Sequence, residues 1–203
     1  DGTVWPKEIH SKVIMVSPAG NDANNGASWD VAKRTVQAGI DAAVGLGAEV
    51  WVREGNYLER INLAPGIRIY GGFAGTELHR YERNWRTHVT ILDGQQGGSV
   101  VTAMNGNPTS ARIDGFTIRN GAAPFGGGVR CANSTLTIAN NIMASNQASE
   151  DGGAIYCDQS TSTIVNNALS GNLTPNGRGA GIFCTGSTMT IVNNTIAFNT
   201  AAS

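Results

Sequence analysis

Three near-copies of one segment close this chain: GGGVRCANSTLTIANNIMASN, GGAIYCDQSTSTIVNNALSGN and GAGIFCTGSTMTIVNNTIAFN. Cys131, Cys157 and Cys184 lie 26 and 27 residues apart (157 − 131 and 184 − 157), and the pairs Asn140/Asn141, Asn166/Asn167 and Asn193/Asn194 keep those spacings. Asn120, Asn146, Asn172 and Asn199 extend the period one coil upstream. A fixed period of this size marks a solenoid, in which each repeat stacks only on its neighbours.

The content of each repeat selects the kind of solenoid. A leucine-rich repeat needs an L-x-x-L-x-L frame, and the three aligned segments hold only Leu136 and Leu169. Helical repeats need apolar residues three and four apart, whereas these alternate in twos. Val129/Cys131, Ile155/Cys157 and Ile182/Cys184 form one inward pair per coil, and Leu136/Ile138, Ser162/Ile164 and Met189/Ile191 a second. Met143, Leu169 and Ile196 mark a third, shorter strand. Period-two alternation broken by Gly and Asn means strands and turns. Three strands per coil, like stacked on like, give an all-β fold: a parallel β-helix.

The asparagines explain the turns. Asn tolerates the left-handed backbone of sharp bends, and stacked amides bond along the axis as a ladder. The odd cysteine count, the inward positions between Val, Ile and Leu, and the lack of C-x-x-C spacing predict a stack of free thiols.

The first third differs. Val13–Val16 reads as a short strand, followed by the polar loop SPAGNDANNGASW. Thr35 caps a helix over about 35–45, with Val36, Ile40, Ala43 and Val44 on one face and Gly45 and Gly47 as its stop. Laid across the first coil, that helix covers strand edges that would otherwise recruit other chains. Strands follow at Glu49–Val52, Ile67–Tyr70, Thr90–Asp93 and Ile113–Ile118. The expected organisation is one domain over 1–203: a cap to residue 48, irregular coils over 49–126 and regular coils over 127–203. The C-terminal edge, ending in TAAS, carries no such cover and invites self-association.

A formal net charge of −1 gives no reason to expect nucleic acid or an anionic membrane as partner, and no apolar run is long enough to span a bilayer. Few charged residues, and no Lys beyond Lys33, fit an exported protein. A start at Asp1 without Met fits a removed signal peptide or a trimmed chain.

The run VSPAGNDANNGASWDVAKRTVQAGIDAAV…EVWVREGNY, then IYGGFAGTE, resembles the N-terminal part of secreted bacterial right-handed parallel β-helix proteins of the pectin-lyase-like group. ILDG, IDGFTIRNG and GGAI resemble that group's repeats, and GGAI is also similar to the polymorphic outer-membrane proteins of chlamydiae. The resemblance covers about Val13 to Asn199 and implies a right-handed β-helix, secreted or at the cell surface. It leaves activity open, because the fold hosts lyases, hydrolases and adhesins. The polygalacturonase-like segments N-x-D, D-D, G-H-G and R-x-K have no counterpart: His10, His79 and His88 are the only histidines, and none lies in G-H-G. A lyase needs a base beside acidic calcium ligands. With no coil lysine, Arg178 and Arg130 remain as candidate bases, and Glu150, Asp151 and Asp158 as candidate Ca²⁺ ligands. The loop Asn21–Asn25 has a slighter claim on Ca²⁺, since it lacks the ligand spacing of an EF-hand.

In proteins of this group sugars lie along the outer face of one sheet. The outward residues of the GG-led strand are Arg130, Tyr156 and Phe183, with Phe125, Glu150, Asp151 and Arg178 on the loops entering it. Aromatic rings stack on the apolar faces of sugars, and Arg pairs with carboxylates. The same strip also fits plain cross-strand stacking or a dimer contact. Trp51/Arg53 and Arg68/Tyr70 alternate in the same way and extend the strip upstream, unless Trp51 turns inward. Three readings follow: a non-catalytic extracellular or cell-surface module that binds glycan, a calcium-dependent lyase of uronate chains, or a structural subunit that assembles through its open edge.

Overall fold

A computed structural model describes residues 12–106 and 109–202. His10 and the rest of the expected N-terminal cap before Lys12 lie outside it. The chain winds as a parallel β-solenoid through four sheets. Sheet I has seven strands: Val13–Val16, Glu49–Arg53, Arg68–Phe73, Ser110–Asp114, Thr135–Ala139, Thr161–Val165 and Thr188–Val192. Sheet II has six: Gly55–Tyr57, Thr90–Asp93, Phe116–Arg119, Ile142–Ala144, Ala168–Ser170 and Thr195–Ala197. Sheet III, the cysteine sheet, has five: Ile61–Asn62, Val101–Met104, Val129–Ala132, Ile155–Asp158 and Ile182–Thr185. Sheet IV has four: Ala122–Phe125, Gln147–Asp151, Leu173–Thr174 and Thr200–Ala201.

The sequence predicts three strands per coil, and sheet IV is the fourth. Its strands carry little apolar patterning, so period-two reading passes them over as loop. The strand expected over Ile113–Ile118 is in fact two, broken at Gly115, whose φ of +83° turns the chain from sheet I to sheet II.

The core is a column of like residues. Val129, Cys131, Ile138, Met143, Ile155, Cys157, Ile164 and Leu169 are fully buried, each over its counterpart on the next coil. Cys131, Cys157 and Cys184 stand in register as free thiols. The hydrogen bonds that Cys157 shares with Cys131 and Cys184, together with burial, hold its thiol well above the ordinary range.

Each Asn pair divides two tasks. Asn140, Asn166 and Asn193 take the left-handed backbone, with φ of 55°, 57° and 54°. Asn141 and Asn167 turn inward instead, and their amides form a ladder: Asn141 Nδ2 donates to Asn167 Oδ1 (3.2 Å) and Asn167 Nδ2 to Asn194 Oδ1 (2.9 Å). A second ladder runs Asn146, Asn172, Asn199 at 3.0 and 2.8 Å. Asn120 does not belong to it. Arg119 pairs with Ala144, so Asn120 aligns with Ser145, and Gly121 N–H caps the ladder on Asn146 Oδ1 (3.0 Å). The upstream extension of the Asn period is therefore off by one residue.

The single α-helix among the described residues, α1 (Val36–Ala43), packs on the first strands of sheet I with Val36, Ile40 and Ala43 buried. Thr35 Oγ1 accepts from Ala38 N–H as N-cap (3.2 Å). Val44, expected on the buried face, is the C-cap and is exposed, because the helix stops before Gly45. Asp22, in the loop weighed for Ca²⁺, accepts from the N–H groups of Arg34 and Thr35 and from the Thr35 hydroxyl. Its carboxylate fixes the entry to the helix. At the other end, Ile191, Ile196 and Phe198 are exposed on the last described coil.

Candidate functional site

One insertion breaks the regular winding. Between Arg68–Phe73 of sheet I and Thr90–Asp93 of sheet II, the chain leaves the solenoid and folds back over the outer face of sheet I. Glu77 organises this loop by accepting from the N–H groups of Ala74, Gly75 and Thr76 at 2.6–2.9 Å. Burial would raise its pKa, but those N–H groups win and hold it below the usual carboxylate value. Beneath the loop, Trp51, Tyr70 and Phe73 form a second apolar cluster, with Trp51 stacked on Phe73 at 4.8 Å.

Trp51 and Tyr70 therefore do not continue the sheet III strip. Both point outward from sheet I, which is a different sheet, and both are 5% exposed under the loop. Sequence alternation fixes which side of a strand they occupy but says nothing of an insertion that covers them.

The loop brings Arg80 and Arg83 onto the outer face of sheet I. Arg83 reaches inward between the Tyr70 and Trp85 rings (5.1 and 4.9 Å), donating to Gly71 O and to Asp114 Oδ1 (2.9 and 2.6 Å). Gly115 permits this approach, since a Cβ there would lie 2.6 Å from Arg83 Nη1. Arg80 pairs with Glu49 and donates to the Tyr70 hydroxyl (3.2 Å). Asp114, 1% exposed, also accepts from Asn140 Nδ2 (3.0 Å) and from Nε and Nη2 of Arg112 (2.9 and 2.5 Å). Burial pushes the Asp114 carboxyl up, and its bonds to Arg83, Asn140 and Arg112 outweigh that and hold it below the usual range. Together with Arg68 these groups line an arginine-rich basin of about 730 Å³ on sheet I.

On the far side of the loop a second concavity of about 700 Å³ runs along sheet II. Trp85 and Arg86 form one wall. Opposite, the left-handed residues Asn140, Asn166 and Asn193 project one amide per coil, beside the hydroxyls of Thr117 and Thr195. The Asn166 and Asn193 amides make no side-chain hydrogen bond to the described residues. The turn geometry that sets their φ also aims them outward.

The expected strip on sheet III exists as a stack. Arg130, Tyr156 and Phe183 are rung neighbours, and Phe125, with Glu150 and Asp151, belongs to sheet IV strands instead of entry loops. Tyr156 and Phe183 lie face to face (5.7 Å, 12°), and Phe125 tilts against Tyr156 (4.9 Å). These rings present one another with their faces, and Phe183 also carries the Arg178 guanidinium at 4.7 Å. That geometry is cross-strand stacking. Arg178 donates from Nε and Nη2 to Asp151 (3.3 and 3.1 Å), which commits both the candidate base and one candidate calcium ligand. Arg130 holds Nε shut from solvent with no hydrogen-bond partner. No group of three or more His, Cys, Asp or Glu side chains suited to a metal occurs among the described residues, so Glu150, Asp151 and Asp158 do not converge. Nor is any described helix long and apolar enough to cross a membrane.

Sequence reading missed both concavities. Its available signal was the outward pair Arg68/Tyr70 over Arg112/Asp114, like-spaced on successive rungs. Compared with protein-family models, with curated proteins and with solved structures, the chain matches none.

Proposed function

We propose that this chain is a non-catalytic glycan-binding module of a secreted or cell-surface β-helix protein of the pectin-lyase-like kind, with the sugar lying along the sheet II groove. One observation carries the reading: an aromatic wall, Trp85, lines the same groove as a column of amides repeated once per coil, of which those of Asn166 and Asn193 are uncommitted while Asn140 donates to Asp114. Rings cover the apolar faces of sugars, and an amide both donates to and accepts from hydroxyls. Strand spacing of about 4.8 Å repeats the same donors along an extended ligand, as a polysaccharide repeats its hydroxyls. The groove is lined without a carboxylate or histidine, so the acid and base that glycoside hydrolysis uses are not offered there. Arg178 and Arg130, tied to the sheet III stack, give the lyase reading no comparable support.

The test is affinity electrophoresis of the protein through gels containing neutral or acidic polysaccharides, with chain length checked before and after incubation with Ca²⁺. Retardation by intact chains is expected. Asn166→Gly, which keeps the left-handed turn and removes one amide, and Trp85→Ala should each relieve it. Shortened chains with unsaturated ends would restore the lyase. Free migration in every gel would end the glycan reading.

A further inference from the structure

We infer that the basin on sheet I is a binding site for a doubly charged tetrahedral oxyanion, met either as free phosphate or sulfate or as a phosphate monoester on a larger molecule. This holds whether or not the sheet II groove binds sugar.

Charge is the first argument. Four guanidinium groups (Arg68, Arg80, Arg83 and Arg112) line the basin, and two carboxylates reach them, Glu49 and Asp114. Four minus two leaves two positive charges in excess, on a protein whose formal net charge is −1. The excess is local and unbalanced.

Register is the second. Arg68 stands directly opposite Arg112 on the next rung of sheet I, and on the rung before it faces Glu49, which Arg80 already pairs. Like charges directly opposite across a ladder repel. Arg112 is neutralised by Asp114, but Arg68 is exposed and has no ion-pair partner among the described residues. An anion between the two forks removes that repulsion.

Preorganisation is the third. Asp114 is buried and fixes Arg83 on one oxygen and Arg112 on the other, so the basin floor is set before any ligand arrives. Arg112 turns Nε and Nη2 to Asp114, which leaves Nη1 directed elsewhere. Arg80 spends Nη1 on Glu49 and Tyr70, and its side chain is still 46% exposed. Hydroxyls of Thr109, Ser110 and Thr137 complete the rim. Donors thus converge from several sides. A carboxylate answers one planar fork, whereas a phosphate or sulfate offers three or more oxygens in different directions, and its double charge matches the excess.

Isothermal titration at low ionic strength tests this with inorganic phosphate, inorganic sulfate, glucose 6-phosphate and, as the uncharged control, glucose. The three dianions should bind and glucose should not. Between about pH 7.5 and about pH 5 binding of glucose 6-phosphate should weaken, because the second ionisation of a phosphate monoester lies near pH 6 while arginine stays charged, and sulfate binding should not change. Arg68→Ala removes an exposed side chain without touching Asp114 and should weaken binding about tenfold. Arg112→Lys, which keeps the charge but loses the fork, should weaken it as well. Tighter binding of glucose 6-phosphate than of phosphate assigns the site to an ester, and the reverse to the free anion. Absence of dianion binding, or an Arg68→Ala protein that binds like wild type, overturns the inference.

Discussion

Asn167 is the residue whose removal best tests how this solenoid is held together. Its Oδ1 accepts from Asn141 N–H (2.9 Å) and Asn141 Nδ2, and its Nδ2 donates to Ile138 O (2.9 Å) and Asn194 Oδ1 (2.9 Å). It is 2% exposed, so water does not replace these partners. In Asn167→Ala, Asn141 Nδ2 keeps Ile113 O, and Asn194 Oδ1 is left without the Asn167 amide donor. The buried Asn141 N–H is left with no acceptor, and Ile138 O loses its side-chain donor. A buried group stranded in this way costs about 1–3 kcal/mol, so the two together with the small void give about 2–4 kcal/mol. For a chain of this size that is a fall in melting temperature of roughly 5–15 °C. Its sequence neighbour is the control. Asn166 is exposed and contributes chiefly a left-handed φ, so Asn166→Ala should cost about 1 kcal/mol. Urea unfolding followed by circular dichroism measures both. If the two variants lie within error of each other, the buried ladder is not what separates the members of the pair, and the argument fails.

Strong acid should loosen the arginine basin. Asp114 is held below the ordinary aspartate value, so its stabilisation is complete above that value and is lost as pH falls through the lower folded one. Melting temperatures followed from about pH 7 down to about pH 2 should drop in that window, and less steeply in Asp114→Asn. A thiol reagent should label half-buried Cys184 before Cys131 and Cys157, which should react only on unfolding; mass spectrometry of labelled peptides reads the order. Gly39→Ala would put a Cβ 2.5 Å from Val16 Cγ2 and 3.0 Å from Val50 Cγ1, prising α1 from sheet I. Overpacking of that kind costs about 1–3 kcal/mol by chemical denaturation.

The regular coils were legible because each position has two witnesses. Val129 is read as inward partly because Ile155 and Ile182 repeat it, and the structure places all three in register. Legibility ends where a residue has no counterpart on the next coil. Trp51 and Tyr70 alternate correctly, yet the loop that buries them has no sequence echo. Arg68, Arg80, Arg83 and Arg112 meet only because an insertion folds back across two rungs of sheet I, and nothing in their spacing announces it. Within an Asn pair the two residues are chemically identical. Which one bends the chain and which one joins the ladder is decided by register, and a one-residue slip put Asn120 in the wrong column.

That insertion leaves and re-enters the solenoid inside a single coil, and the strands on either side of it keep their rung partners. The stacked coils and the excursion are thereby written in separate parts of the chain. Coils stack through their own backbone bonds whatever the length of the excursion, and a longer closed loop adds entropy only logarithmically. The same coils can thus carry a different loop without disturbing the inner column, provided that Trp51, Tyr70 and Phe73, which this loop covers, change with it. In a fold of this kind, the covering of one coil can be exchanged while its neighbours stay as they are.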